Sequence, residues 1–162
     1  MNTDTCIEIN ITDQTLKLKQ GDRIVHEYTV STAANGPGER MHSNCTPRGE
    51  HVITGKIGDG EPVNTVFVAR EPTGEIYTPE LRQQYPDRDW ILTRILWLSG
   101  CEPGRNKGGD VDSHDRYIYI HGSPDDVAMG EPGSAGCIRM RNRDVMALFD
   151  QVEVMTRVII EE

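Results

Sequence analysis

Residues 117–140 read Tyr-Ile-Tyr-Ile-His-Gly-Ser-Pro-Asp-Asp-Val-Ala-Met-Gly-Glu-Pro-Gly-Ser-Ala-Gly-Cys-Ile-Arg-Met. The run 117–121 is apolar, aromatic and β-branched, and it has the length of a buried strand. It ends on His121-Gly122. Pro and Gly punctuate 123–133 as a loop, and Ser134-Ala135-Gly136-Cys137 is a turn of small residues leading back into an apolar segment. A histidine closing one strand and a cysteine opening the next, one loop apart, can meet in space.

The same β character extends outward. Ile7, Ile9 and Ile11 alternate with polar residues, as do Leu16 and Leu18 with Lys17 and Lys19. Gln20-Gly21-Asp22 supplies a turn into a third strand over 23–30. Segment 34–48 lacks periodicity and reads as a loop, and strands resume at 51–57 and 63–70. Thr78-Pro79 places a capping hydroxyl before a proline at the first helical position, which predicts a short helix to about Tyr85. A buried strand is expected over 91–99, with Trp90 and Trp97 as core residues and a Gly-rich loop over 100–115. Asn142 as N-cap, Asp144 in the first turn and Val145, Met146, Leu148, Phe149 and Val152 on one face predict a second helix before a last strand over 154–160. The expected fold class is mainly β, a sandwich or barrel-like arrangement with one or two short helices. At 162 residues, 1–162 is expected to form a single domain.

Composition narrows the function. With 17 basic and 26 acidic side chains the net charge is −9, which repels a phosphate backbone, so no nucleic-acid partner is expected. No apolar run approaches the about 20 residues of a membrane span, so no membrane partner is expected either. The opening MNTDTCIEIN has no basic or apolar signal regions. That points to the cytoplasm, or to the periplasm if a signal peptide has been removed. Cys6, Cys45, Cys101 and Cys137 show no CxxC pairing or metal-ligand spacing, so free thiols and no metal or cofactor are expected.

The chemistry is concentrated at His121 and Cys137. A thiol near pKa ~8.5 is little ionised at neutral pH, so a nucleophilic cysteine gains from an imidazole that takes its proton and later protonates the leaving amine. Ala135 and Gly136 let the backbone approach a substrate carbonyl, and N–H groups near Gly136 and Cys137 can form an oxyanion hole. Arg139 lies two residues beyond Cys137, on its side of an extended chain, and can hold a carboxylate. Tyr119, two before His121, faces the histidine's side and either walls the pocket or packs in the core. Against this stands the blander reading of a buried cysteine and a structural histidine.

The wording His-Gly, a loop of this length, Ser-x-Gly-Cys and Ile-Arg-Met resembles the signature of the L,D-transpeptidase (YkuD-type) catalytic domain. The resemblance spreads to 7–33, to Thr46-Pro47-Arg48-Gly49-Glu50 and to 108–122, so it covers nearly the whole chain. It implies Cys137 as nucleophile, His121 as general base and the Gly122 carbonyl as the group orienting the imidazole. It also implies Ser134, Gly136 and Cys137 around the oxyanion pocket, Arg139 beside the substrate and Arg116 on the approach to the histidine. Ala135 departs from the pattern, because members commonly carry a second histidine there.

The resemblance further implies a peptidoglycan stem peptide or muropeptide as substrate, attacked at the diamino-acid carbonyl with loss of the terminal D-amino acid. Carbapenem-type β-lactams are implied as inhibitors. The opening sequence and Ala135 favour water as acceptor, making an L,D-carboxypeptidase of muropeptide recycling. The alternative is an exported L,D-transpeptidase forming 3–3 cross-links. Two readings from other classes are a stem-peptide-binding module without catalysis and a thiol redox protein with a resolving cysteine near Cys137.

Overall fold

The computed structural model describes residues 4–162; the first three residues of the opening segment read above lie outside it. Ten strands and two α-helices follow in the order β1 (Thr5–Asn10), β2 (Thr15–Gln20), β3 (Arg23–Thr29), β4 (Gly49–Ile57), β5 (Thr65–Val68), β6 (Glu71–Ile76), α1 (Pro79–Gln84), β7 (Ile91–Gly100), β8 (Tyr119–Ser123), β9 (Ile138–Arg141), α2 (Asn142–Gln151) and β10 (Arg157–Glu161). The fold is mainly β, as the alternation predicts. All ten strands share one sheet. Its path runs β3-β2-β1-β10-β4-β7, where β7 is a branch point: β4 and the β5–β6 hairpin pair with it, and so does β8, which carries β9.

The two ends of the sheet come together. The chain leaving β3 meets β9, where Ser31 and Arg139 exchange backbone hydrogen bonds of 2.9 and 2.8 Å. The sheet therefore curls until its first and last strands nearly close a barrel, which removes much of the exposed edge. Ile7, Ile9, Leu16, Leu18, Leu96, Leu98, Ile118, Ile120, Ile138 and Met140 fill its interior, and Val145, Leu148 and Phe149 of α2 complete this core.

Period-2 alternation gives β7, β8 and β9 a second face. Ile95, Trp97, Tyr119 and Cys137 pack together there with Phe67. Both faces of β8 are covered, so all five of its residues are buried. A β-bulge in β7 leaves Thr93 and Arg94 unpaired between Leu92, opposite Gly122, and Ile95, opposite His121. Such bulges bend a strand and re-aim what it supports. Thr93 sits at φ +75°, a costly conformation for a β-branched residue.

Several boundaries differ from the sequence reading. Asn142 is the first residue of α2 rather than its cap; Arg141 holds the cap position without a side-chain bond. The Asn142 amide instead accepts from Thr93 Oγ1 at 2.6 Å and donates to Asn64 and Asp125. Residues 154–156 precede the last strand, with Val154 and Met155 exposed. Tyr117 also lies outside its expected strand, exposed at φ +57°. Thr78 caps α1 as expected, accepting from the Leu81 N–H at 3.1 Å.

Candidate active site

Strands β8 and β9 run parallel, with Ile120 opposite Ile138 and His121 opposite Arg139. Side chains opposite one another in such a pair share a face, so Tyr119, His121, Cys137 and Arg139 project together, away from the interior. Cys137 stands two residues before Arg139, the ladder partner of His121. From the strand spacing and the rise per residue the α-carbons of Cys137 and His121 are roughly 8 Å apart. The two residues that the sequence singled out thus stand on neighbouring strand positions of one face.

His121 is buried, and its Nδ1 lies 2.7 Å from the Gly122 carbonyl oxygen. A carbonyl only accepts, so Nδ1 carries the proton and Nε2 is the ring's basic atom. Gly122 is required by space: a Cβ there would sit 2.5 Å from Asn142 Oδ1 and 2.6 Å from Leu92 O. The Asn142–Thr93 bond therefore forms the wall against which the His-Gly step packs.

The turn before β9 is built from its own side chains. The Ser134 hydroxyl donates to Cys137 O at 2.5 Å and accepts from the Gly136 N–H at 3.1 Å. Thr46 Oγ1 donates to Gly136 O at 2.9 Å, and Gly136 takes φ +131°, which only glycine adopts freely. Ser134 and the Gly136 N–H are thus spent on the turn, which leaves the Cys137 N–H as the oxyanion donor to consider. The Cys137 thiol donates to Tyr117 O at 3.4 Å and accepts from the Tyr119 N–H at 3.3 Å. The left-handed backbone of Tyr117 accompanies the turn that presents this carbonyl to sulfur.

Burial sets the resting protonation. It pushes the Cys137 thiol up to about 12, aided by the Asp89 carboxylate and opposed by the Tyr119 N–H, Arg139 and Arg116. It holds the His121 imidazole below its ordinary value, opposed by Asp89 and by the bond to Gly122. Burial thus favours the neutral form of both thiol and imidazole.

A cleft of about 380 Å³ reaches Cys137, walled by Phe67, Ile91, Ile95, Tyr117 and Tyr119. Arg70 caps this wall. Its guanidinium lies 4.6 Å from the Trp97 ring centre and 5.0 Å from that of Tyr117, and it donates to the Tyr119 hydroxyl at 3.0 Å. Arg116 also borders the cleft, but its hydrogen bonds hold the 38–45 loop through Gly38 O, Glu39 O, Ser43 Oγ and Cys45 O. Arg139 donates to Gly133 O and stands 3.6 Å from Asp89. Ala135 is exposed at the mouth of the cleft.

Asp89 and Arg70 carry no signal in the sequence. They come from the 67–90 segment, whose approach to Cys137 depends on long-range pairing. Trp90 is core, packed on Tyr77 and Leu92, whereas Trp97 is half-buried at the rim of the site, stacked on His114. Among the described residues all four cysteines are free, and no helix is long and apolar enough to cross a membrane.

The chain resembles known proteins in sequence and in fold. Residues 4–160 match the family model described as the L,D-transpeptidase catalytic domain, YkuD. The chain is 29% identical over 143 residues to the probable L,D-transpeptidase YbiS of Escherichia coli strain K12, covering 83% of this chain and 44% of YbiS. It is 33% identical over 107 residues to the probable L,D-transpeptidase ErfK/SrfK of Salmonella typhimurium, covering 64% of this chain and 34% of that protein. The chain thus spans less than half the length of these relatives. Among solved structures, L,D-transpeptidase 3 from Mycobacterium tuberculosis in complex with a faropenem-derived adduct superposes with a TM-score of 0.61 at 16% identity, covering 98% of this chain and 60% of that one. An L,D-transpeptidase from Mycobacterium smegmatis gives a TM-score of 0.59 at 18% identity, with 98% and 59% covered. The chain belongs to the L,D-transpeptidase catalytic-domain (YkuD) family.

Proposed function

We propose that this domain is a cysteine acyltransferase acting on peptidoglycan stem peptides, with Cys137 as nucleophile and His121 as general base. The observation that supports the reading is that the parallel pairing of β8 and β9 sets His121 opposite Arg139, two residues from Cys137, with the imidazole Nδ1 tied to Gly122 O. His121 Nε2 takes the thiol proton as sulfur leaves Tyr117 O and attacks the diamino-acid carbonyl. The oxyanion is met by the Cys137 N–H. Collapse breaks the C–N bond, and the imidazolium returns its proton to the departing amine. An acceptor amine then attacks the thioester, with His121 again taking the proton.

Transfer to an amine is the leading outcome, because the relatives carry the name L,D-transpeptidase. Hydrolysis, which the sequence favoured, is the second reading, and the exposed Ala135 beside Cys137 supports it by leaving the thioester open to water. The neutral resting thiol gives no support to a redox role. Carbapenem acylation of Cys137 follows from the same chemistry, and a protein of similar fold, LD transpeptidase LdtMt1, has been solved in complex with imipenem.

The test is mass spectrometry of a stem tetrapeptide ending in diaminopimelate-D-Ala, incubated with wild-type protein and with Cys137→Ala, with and without an acceptor stem. Cross-linked product with wild type alone supports transfer, and D-Ala release without acceptor supports hydrolysis. Peptide binding without turnover in either protein replaces both with the binding-module reading.

A further inference from the structure

The cleft that reaches Cys137 carries the charges of Asp89, Arg116 and Arg70 on its wall, and they are not equally available. Asp89 faces Arg139 at 3.6 Å. Arg116 spends its donors on four oxygens of the 38–45 loop. Arg70 donates to the Tyr119 hydroxyl, and most of its five N–H groups are left over. Its contacts with the rings of Trp97 and Tyr117 use the charge and no donor. Arg48, Arg82, Arg88 and Arg157 each hold a carboxylate at 2.8–3.1 Å. Among the described residues Arg70 has no such partner.

The backbone is bent to put it there. Val68 pairs with Glu71, so Ala69 and Arg70 form the turn of the β5–β6 hairpin, both left-handed, at φ +50° and +68°. Such turns favour Asn and Gly at these places, and other side chains there cost free energy that the surroundings must offset. Tyr119 then sets the distance to the nucleophile. Its main-chain N–H is 3.3 Å from Cys137 Sγ and its hydroxyl is 3.0 Å from Arg70. The guanidinium therefore stands about one tyrosine side chain from the sulfur, on a cleft whose apolar wall is Phe67, Ile91 and Ile95. A substrate residue whose carbonyl sits at sulfur can lay an aliphatic side chain on this wall and bring the group at its far end to Arg70.

We propose that Arg70 is a specificity-determining residue that binds a carboxylate at the far end of the side chain under attack, as in free diaminopimelate. It thereby separates such stems from those in which that carboxylate is amidated or missing. The proposal rests on the acyl-transfer reading and narrows its donor. A guanidinium holds a carboxylate through two parallel N–H bonds, whereas an amide offers one acceptor and no charge.

The experiment compares stem tetrapeptides ending in D-Ala whose preceding residue is diaminopimelate, diaminopimelate amidated on its distal carboxylate, or lysine, which lacks that carboxylate. Wild type should give a kcat/KM for free diaminopimelate about tenfold above the other two, mostly through KM, as expected for a charged hydrogen bond made in ground and transition states alike. Arg70→Gln should bring that ratio to within about twofold, and Arg70→Lys, which keeps the charge without the fork, should restore part of it. A merely structural Arg70 would slow all three peptides together and leave the ratio as in wild type. A fourth peptide, amidated on the carboxylate of its second residue instead, should behave as the unmodified one. Thermal melts check that each variant is folded. Equal kcat/KM for free and amidated diaminopimelate in wild type, or an unchanged ratio in Arg70→Gln, overturns the proposal, as does discrimination by the second residue's carboxylate in place of the distal one. The same peptides titrated into Cys137→Ala, with and without Arg70→Gln, read the site without chemistry. A preference there with no turnover in wild type removes the acyl-transfer reading alone, and turnover without the preference removes the Arg70 assignment alone.

Discussion

Each residue of the site is constrained by a neighbour that can be removed. The proposed base, His121, can take a proton only when neutral, and burial holds its pKa below the ordinary value of about 6.5. Activity therefore persists as pH falls past 6.5, and the acidic limb of kcat/KM lies below that point; a limb above 6.5 would contradict a buried base. Gly136→Ala forces a side chain into φ +131° and against Cys45 O, 3.2 Å from the new Cβ. The expected cost is about 1–3 kcal/mol of stability, with a larger fractional loss of activity, because the same turn aims Cys137. Urea melts alongside initial rates would show it. At this scale the sequence offers candidates where a motif stands in adjacent residues. His121, Gly122 and the turn 134–137 stand out as candidates from spacing and wording. Asp89 and Arg70 do not, since nothing local distinguishes a charged loop residue that the fold carries to the site.

Among the elements, the strands with clean alternation, β1 and β2, were legible, because one buried face writes itself as period two. Strand β6 was missed for the converse reason. Glu71-Pro72-Thr73-Gly74-Glu75-Ile76 is an edge strand with no buried residue, and its Pro and Gly read as a break. Asn142 was misread because Asn is a good N-cap in isolation, while here the bulge of β7 claims its amide. Asn142→Ala should accordingly cost more than a lost cap, about 2–3 kcal/mol, by leaving Thr93 Oγ1, Asn64 and Asp125 without their partner. It should also lower kcat, because Gly122 packs on that amide. A variant with wild-type kcat and a shift under about 1 kcal/mol would separate α2 from the site.

For the whole molecule, barrel-like closure depends on Ser31 meeting Arg139, a pairing across 108 positions that local pattern does not encode. Burial across the sheet also gives stability a pH dependence. His51 on β4 is fully buried, with Nδ1 on Gly49 O and Nε2 on Ser113 Oγ, and burial lowers its pKa to about 4. The unfolded chain binds a proton near pH 6.5 that the folded chain refuses until about pH 4. Stability is therefore full above 6.5 and declines as pH falls from 6.5 to 4, by about 3 kcal/mol at most from this group. His51→Gln should be less stable at pH 7 yet show a flatter slope across that window in urea melts, and parallel slopes would count against it. The central claim is that Cys137, activated by His121, forms an acyl-enzyme. It is tested most directly by intact-mass and peptide-mapping spectrometry of the folded protein after exposure to a carbapenem. The account predicts one adduct, located on Cys137, slowed strongly in His121→Gln and missing in Cys137→Ala. An adduct on Cys6, Cys45 or Cys101 instead, or an unmodified wild-type protein, would contradict it.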